Sequence, residues 1–529
     1  MTSSSDTGDT KRGADHLVDA LREADVKTIF SLSGNQIMPV YDALLGTGIR
    51  LIHTRHEGAA VYMAEAYAQV TGEVGIALLT AGPGFANGLS AMYSALVSQT
   101  PIVIMTGDAP LKLAGHGAFQ EMDQQSGAAT FVKASFQIER AADMFDAVCN
   151  AAALAAEGTP GPVHLSLHDD VLREIADRGG RSASVPGPAE FASRQGAALT
   201  IDQAVIDRIK AAKRPLIVAG PSFARARWEE KFQAFASRTG IPMLALESPR
   251  GLRAPRNGAL AEVLPEADLI VLLSQMPNFL IGFGQPPATG EKTAIICCSD
   301  DTAQLREATR RLGAHRFTAV PISGADVLEG LDDDGALGGL HPNAAEADWK
   351  TRIEDAVAWR PPEWAQIGAE AAPFHAASVA LEIGKFIDKH SDTSLIIDGG
   401  EVGQWCQAIL DTRISLINGP SGAIGGSIPY AIAAKAVRAD QPAIALLGDG
   451  TAGFYFIEFE TALRENTPIV AIIGNDAKWN AEHQIQIREY GENRTHSCEM
   501  TPTRYDEMAR AMGCYGENVS DLAELCLLY

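Results

Sequence analysis

Short runs of apolar, often β-branched residues recur along the chain and alternate with longer stretches that have helical periodicity. The runs are continuous in apolar character, which is typical of strands in parallel sheets that helices cover on both faces. Eight runs are predicted to be strands: Gly75–Leu79, Pro101–Met105, Pro215–Ala219, Asp268–Leu273, Thr293–Ile296, Ser394–Ile397, Ala443–Leu447 and Pro468–Ile473.

The repeated order of strand and helix predicts α/β domains, each built on a doubly wound parallel sheet. Two segments interrupt this order, because residues 178–198 and 328–373 are rich in small residues and proline. Both segments are predicted to be connections between domains. They divide the chain into three predicted domains: 10–178, 195–330 and 372–529.

Composition narrows the class of protein. Apolar residues make up 46% of the 529 residues and charged residues 21%, which is ordinary for a soluble globular protein. The net charge of −23 argues against a nucleic-acid partner, since a polyanion would be repelled. No apolar run approaches the roughly 18 residues of a membrane span. Seven scattered cysteines, without a zinc or disulfide framework, favour the cytoplasm.

The strongest motif lies in the third predicted domain. The strand Ala443–Leu447 leads into Gly448-Asp449-Gly450-Thr451, a helical stretch over Ile457–Arg464 follows, and the next strand ends at Asn475-Asp476. Carboxyl ends of parallel strands share one edge of a sheet, where ligands bind. Glycines let a backbone approach phosphate, and carboxylates there suit Mg²⁺ or Ca²⁺. The pattern predicts a metal and diphosphate site.

Further motifs follow strands in the first and third predicted domains. Leu51-Ile-His-Thr-Arg-His-Glu57 is a strand that enters a helix, and Thr80-Ala-Gly-Pro-Gly-Phe-Ala-Asn87 is a Gly-rich turn. Asp398-Gly-Gly-Glu-Val-Gly-Gln404 and Gly422-Ala-Ile-Gly-Gly-Ser-Ile-Pro429 are further loops after strands. Together and in this order, the motifs resemble those of thiamine-diphosphate-dependent enzymes, most closely the acetolactate-synthase-like group.

The resemblance implies pyrimidine-binding, central and diphosphate-binding domains, in that order. It implies that Glu57 donates a proton to N1′ of the cofactor's aminopyrimidine, and that Ile424 holds the cofactor bent. It assigns the metal, Mg²⁺, to Asp449, Asp476 and the carbonyl of Lys478. Asp476 stands where the family usually has Asn, and Asn475 is the alternative ligand. The residues assigned to the cofactor are Pro83, Asn87, Gly403, Gln404, Gly422, Ile424, Gly448, Gly450 and Thr451.

The resemblance is weaker at the substrate. Met276 stands where acetolactate synthases carry an arginine, so bidentate recognition of a carboxylate is lost there. This argues against FAD in the central domain and leaves Arg250 or Arg253 as a substitute for that arginine. The residues assigned to the substrate side are Asn35, Gln36, His116, Phe119 and Gln120.

Three functions fit these motifs. The first is a carboligase acting on 2-oxo acids, resembling acetolactate synthase. The second is a 2-oxo-acid decarboxylase or a 2-hydroxy-ketone lyase of the benzaldehyde-lyase type. The third is a damaged relative that binds the cofactor without turnover, an idea prompted by the early end at Tyr529, where the last domain is expected to lack its usual end. The family pattern also implies a homodimer or homotetramer with shared active sites.

Overall fold

The computed structural model describes residues 11–179, 185–187, 201–333, 346, 348–364 and 375–525. The chain divides into two compact units, the first with residues 1–68 and 72–196 and the second with residues 69–71 and 197–529. Within the described residues, no helix is both long and apolar enough to span a membrane.

The first unit is built on a six-stranded parallel sheet with the order β3-β2-β4-β5-β7-β6, beside a small antiparallel pair, β1 and β8. The strands are β1 (Lys11–Arg12), β2 (Thr28–Ser31), β3 (Arg50–His53), β4 (Gly75–Leu79), β5 (Ile102–Asp108), β6 (Ala134–Ile138), β7 (Val163–His168) and β8 (Ile175–Ala176). The α-helices are α1 (Gly13–Glu23), α2 (Met38–Ala43), α3 (Glu57–Thr71), α4 (Pro83–Val97), α5 (Gln124–Ala128), α6 (Met144–Ala156) and α7 (Asp169–Arg173).

The second unit contains a five-stranded parallel sheet with the order β10-β9-β11-β12-β13. Its strands are β9 (Pro215–Ala219), β10 (Met243–Ala245), β11 (Leu269–Leu273), β12 (Ala294–Cys298) and β13 (Phe317–Val320). The α-helices around it are α8 (Gln203–Ala211), α9 (Glu229–Thr239), α10 (Leu260–Val263), α11 (Thr302–Leu312), α12 (Gly324–Asp333) and α13 (Trp349–Ala358). Alternate residues of β11 enter separate cores on the two faces, Val271 on one and Ile270 on the other.

The second unit also contains a four-stranded parallel sheet with the order β15-β14-β16-β17. Its strands are β14 (Ser394–Ile397), β15 (Ile414–Ile417), β16 (Ala443–Gly448) and β17 (Val470–Gly474). The α-helices are α14 (Ala376–Lys389), α15 (Glu401–Ile409), α16 (Ser427–Val437), α17 (Asp449–Tyr455), α18 (Glu458–Arg464), α19 (Asn480–Tyr490), α20 (Tyr505–Ala511) and α21 (Leu522–Leu525). β16 is largely buried, whereas β17 is an edge strand and Val470 is 54% exposed.

The predicted fold class is confirmed, since three parallel sheets carry helices and each predicted strand is present within a few residues. Three local predictions need correction. A helix that was not predicted, α17, begins at Asp449 within the Gly-Asp-Gly segment and precedes the predicted helical stretch Ile457–Arg464. The Gly-rich turn after β4 is shorter than predicted, because α4 begins at Pro83. The predicted connection 328–373 contains α13, which buries Trp349 and Ile353 against the central sheet.

Parts of two predictions fall outside the described residues. Most of the predicted connection 178–198 lies there, as do residues 334–345, 347 and 365–373 of the second connection. The end of the chain, residues 526–529, lies there as well. The domain bounds 10–178, 195–330 and 372–529 therefore stay predictions.

Candidate active site

Asp449 stands at the junction of β16 and α17, at the carboxyl edge of the four-stranded sheet. The residue is only 4% exposed, and Tyr505 Oη donates to its carbonyl oxygen at 2.7 Å. Burial raises the pKa of the Asp449 carboxyl, and the negative charge of Asp476 raises it further, against hydrogen bonds from backbone amides that include Ala477 N–H. Two carboxylates therefore share one small region in which a cation would relieve their repulsion.

The segment after β17 is held in a fixed conformation beside Asp449. Lys478 N–H donates to Asp476 Oδ1 at 3.1 Å, and Ala477 has a positive φ of 53°. An antiparallel contact with residues 498–500 fastens the segment, since Trp479 N–H donates to Cys498 O at 2.8 Å and Met500 N–H donates to Ala477 O at 2.7 Å. Strained backbone that neighbours hold in place is common at functional sites.

A cavity of about 1260 Å³ opens at this edge of the sheet. Gly400 and Gly448 face each other in it, because a Cβ placed on Gly400 would lie 3.6 Å from Gly448 Cα. Backbone without side chains leaves room for a phosphate group at that point. The predicted site residues that line the cavity are Ile424, Gly448, Asp449, Gly450, Thr451, Asp476 and Lys478.

Asp398 fixes the loop that carries Ile424. Its fully buried carboxylate accepts from the backbone N–H groups of Gly399, Gly425 and Ser427 at 2.7, 3.0 and 3.0 Å. Burial raises the pKa of Asp398, while these hydrogen bonds lower it. The carboxylate thus ties the end of β14 to the turn before α16, and Ile424 stays at the wall of the cavity.

These residues fit a metal-bound diphosphate. Within the described residues no cluster of three or more His, Cys, Asp or Glu could hold a metal alone. Asp449 and Asp476 form a pair of hard oxygen ligands, to which a carbonyl oxygen and phosphate oxygens can be added for Mg²⁺. Trp479 packs over the junction, since a Cβ on Gly450 would lie 2.8 Å from its ring. The paired charges and the glycine-lined wall are what such a ligand requires.

In the first unit, Glu57 is the first residue of α3 and is 8% exposed. Asn87 Nδ2, on α4, donates to Glu57 Oε2 at 3.0 Å. His56 caps α3, because its Nδ1 accepts from Gly58 N–H at 3.0 Å. A Cβ on Gly84 would come within 3.3 Å of Glu57 Oε1, so the backbone of α4 closely approaches this oxygen. The carboxyl is enclosed and oriented, as a group that exchanges a proton requires.

The residues assigned to the substrate side divide into two sets. Gln36 is 4% exposed and its side chain bonds to Thr80 and Gln120. Asn35, His116 and Phe119 lie nearer the surface, and Phe119 is 77% exposed. The structure therefore joins Gln36 and Gln120 by a hydrogen bond and leaves the side chains of Asn35, His116 and Phe119 exposed.

Five residues assigned to the cofactor lie outside the cavity lining, namely Pro83 and Asn87 of the first unit and Gly403, Gln404 and Gly422 of the second. Gly403 is buried in α15, where a Cβ would collide with Asp398 O, so its role here is close packing. Gln404 is partly buried in the same helix, and Gly422 has a φ of 69° in the loop before α16. Their contact with the cofactor stays a prediction, as does that of Pro83, the first residue of α4.

Sequence reasoning missed several residues that shape the site. Asp398 belonged to a recognised motif, but its contacts to the turn before α16 depend on tertiary folding. Trp479 and Tyr505 also reach the junction only through tertiary contacts. The one available signal was the position of Trp479, shortly after the Asn475-Asp476 motif.

Comparison with known proteins agrees with this geometry. Residues 11–127 match the model of the N-terminal binding domain of thiamine pyrophosphate enzymes, and residues 398–526 match that of the C-terminal binding domain. A probable acetolactate synthase of Mycobacterium bovis is 31% identical over 525 residues, which cover 96% of this chain and 90% of the relative. A 2-hydroxyacyl-CoA lyase 2 of Homo sapiens is 27% identical over 554 residues, which cover 97% and 85%. The chain therefore belongs to the thiamine pyrophosphate enzymes and is a member of the branch that forms or cleaves carbon–carbon bonds.

Proposed function

We propose that this protein is a carboligase that joins 2-oxo acids in the manner of acetolactate synthase, with thiamine diphosphate held through Mg²⁺. The observation that carries the proposal is the pair Asp449 and Asp476, whose charges interact at the wall of a large cavity. The acetolactate synthase relatives, which match nearly the whole chain, support the choice of substrate class.

In this proposal the second unit holds the charged end of the cofactor. Asp449, Asp476 and the carbonyl of Lys478 bind Mg²⁺, while the backbone at Gly400 and Gly448 leaves room for the diphosphate. When bound, thiamine diphosphate supplies the nucleophilic carbon and the electron sink for a bond made or broken beside a carbonyl. Ile424 fixes the shape of the cavity wall against which the cofactor lies.

Glu57 holds the proton that is exchanged with N1′ of the aminopyrimidine. Asn87 occupies Glu57 Oε2, which leaves Oε1 as the oxygen that meets this nitrogen. As in the family pattern, we infer that each active site takes Glu57 from one subunit and the metal site from another. A homodimer is then the smallest active form, and a homotetramer is the assembly we expect in solution.

A lyase is the second candidate, and the environment of Met276 favours it. The Met276 sulfur lies 3.8 Å from Cys297 Sγ and packs on the core of the central sheet, so this position offers no charge to an acceptor carboxylate. The 2-hydroxyacyl-CoA lyase relatives agree with this alternative. The Met276 side chain also offers FAD no charged partner.

Product analysis separates the two candidates. Purified protein with Mg²⁺ and thiamine diphosphate is incubated with pyruvate, and in parallel with a 2-hydroxy ketone, and products are identified by mass spectrometry. Acetolactate from pyruvate is the expected result, because a carboligase joins the donor to a second carbonyl compound before it releases a product. Acetaldehyde without acetolactate, or cleavage of the hydroxy ketone alone, would replace the proposal by the lyase.

Arg250 is expected to bind the substrate carboxylate in place of the missing arginine. Its loop contacts the loop that carries Ile424, since a Cβ on Gly422 would be 3.8 Å from Pro249 Cβ. Glu247 of this loop pairs with Arg225 at 2.7 Å and Arg256 at 3.3 Å. Both arginines also donate to Ser415 of β15, at 3.0 and 3.2 Å, and so anchor the loop to that strand.

The Arg250 side chain is exposed and has no partner among the described residues, so it is available to a ligand. Arg250→Ala should raise the KM for a 2-oxo acid by about tenfold or more, because a bidentate contact is lost. Arg253→Ala, which removes another exposed arginine nearby, should leave the KM unchanged. Steady-state kinetics decide, and equal effects of both variants would mean that general charge, not Arg250, attracts the substrate.

A further inference from the structure

A chain of hydrogen bonds with a defined direction crosses the carboxyl edge of the first sheet. Thr80 Oγ1 donates to Gln36 Oε1 at 3.0 Å, and Gln36 Nε2 donates to Gln120 Oε1 at 2.9 Å. The acceptor oxygen of Gln120 is therefore occupied inside the protein. No described residue accepts from Gln120 Nε2, so its N–H groups are the free end of the chain.

Gln36 has little freedom to turn. It is 4% exposed and lies in a short 3₁₀ helix, Asn35–Ile37. A Cβ on Gly107 would come within 2.8 Å of Gln36 Cβ, so the side chain packs directly on the backbone of β5. A buried amide that is packed and bonded at both ends keeps one orientation.

The backbone of Gln120 is held as well. Gln120 has a φ of 61°, which is strained for a residue with a side chain, and its carbonyl lies against Gly82. The Glu121 carboxylate fastens the same loop by accepting from Ala118 N–H at 2.9 Å. Gly84, two residues beyond Gly82, lies close to the Glu57 carboxyl. Gln120 and Glu57 therefore lie against the same turn, Gln120 at Gly82 and Glu57 at Gly84.

We propose that Gln36 is a positioning residue that turns the amide of Gln120 so that its N–H groups face the substrate. The group they recognise is an oxygen without a proton to give, such as the carbonyl or carboxylate of a 2-oxo acid. This inference rests on the proposed function, which places Gln120 at the substrate. Beyond that function, the inference specifies that Gln120 donates the hydrogen bond to the substrate and that Gln36 fixes this orientation.

Gln36→Glu tests the direction with almost no change of shape. A carboxylate can only accept, so Gln120 must turn its N–H groups inward and present its oxygen to the substrate. At about pH 8 we expect kcat/KM for a 2-oxo acid to fall by about tenfold or more, with the melting temperature close to wild type. When the introduced carboxyl is protonated it donates as the Gln36 amide does, and burial raises the pKa of a carboxyl at such a position. Activity relative to wild type should therefore recover toward about pH 5.5.

Gln36→Met is the matched control, because it fills the same space without donating or accepting. Its loss of kcat/KM should be the same at every pH. Taking the ratio to wild type at each pH removes the contribution of the other ionisable groups near the site, among them Glu57, Glu121 and His116. A Gln36→Glu variant that stays fully active at about pH 8, or whose loss does not change with pH, would overturn the proposal.

A second measurement does not depend on turnover. Neutron diffraction from deuterated crystals distinguishes the amide nitrogen of Gln36 from its oxygen. Nitrogen facing Gln120 is the expected result, and oxygen facing Gln120 would overturn the inference. If wild-type protein converted neither a 2-oxo acid nor a 2-hydroxy ketone, the proposed function would fail, while this experiment would still decide the orientation.

Discussion

Asp449→Asn is expected to abolish Mg²⁺-dependent binding of thiamine diphosphate, whereas Asp476→Asn is expected to retain it. Asp449 is buried between backbone amides, so its carboxylate is a fixed ligand whose charge an amide cannot replace. Asp476 offers a ligand oxygen to the metal, but its negative charge also repels that of Asp449. Asparagine at position 476 keeps a side-chain oxygen for the metal and removes this repulsion. Calorimetric titration with cofactor and Mg²⁺ should show at least about a hundredfold weaker binding for Asp449→Asn only.

Two further measurements support the comparison of Asp449→Asn with Asp476→Asn. Thermal melting without cofactor should show that both variants fold, because neither side chain supports the core of the sheet. Titration of wild-type protein at falling pH should also weaken binding, since the raised pKa of Asp449 makes its carboxyl take up a proton before an ordinary aspartate does. Equal affinity in the two variants would refute the unequal roles assigned to the two carboxylates.

Glu57→Gln is expected to slow proton exchange at the reactive carbon of the cofactor strongly while leaving cofactor affinity nearly unchanged. The amide has the size of the carboxyl, and its oxygen can still accept from Asn87 Nδ2. It cannot exchange a proton with the aminopyrimidine, so the exchange rate should fall by about 10²- to 10⁴-fold. Deuterium exchange, stopped by acid and read by proton NMR, measures this rate directly.

The matched variant is Glu23→Gln, which changes an exposed glutamate at the end of α1 in the same unit. Its exchange rate should equal that of wild type. Undiminished exchange in Glu57→Gln would exclude Glu57 as the proton carrier. A large loss of cofactor affinity in Glu57→Gln would instead mean that its charge serves binding.

Most of the sheet architecture could be predicted because parallel strands buried on both faces leave continuous apolar runs. The run Ala443–Leu447, for example, is almost fully buried in the structure. Helix ends were less predictable. α17 begins inside a glycine-rich segment whose composition suggests a loop. α13 lies in a segment rich in small residues and proline, a composition that does not indicate a helix with the buried side chains Trp349 and Ile353.

The same distinction applies to the site. Asp449, Asp476 and Glu57 stand at junctions of consecutive elements, so local sequence places them at the carboxyl edges of their sheets. The hydrogen bonds of Asp398 to Gly425 and Ser427, and the chain from Thr80 through Gln36 to Gln120, join residues far apart in sequence. Such contacts depend on how the elements pack, which periodicity does not encode. Local sequence therefore indicates where these three carboxylates stand, whereas the contacts that hold their surroundings in place arise only from tertiary packing.

The exposed edge of β17 has a consequence for the metal ligand that follows it. Among the described strands only β16 pairs with β17, and Asp476 comes two residues after β17 ends. Asp449 likewise follows the end of β16, so the pairing of these two strands helps to set the separation of the two carboxylates. Since β17 has no second neighbour among the described strands, a substitution that weakens its pairing with β16 is expected to weaken the metal site as well.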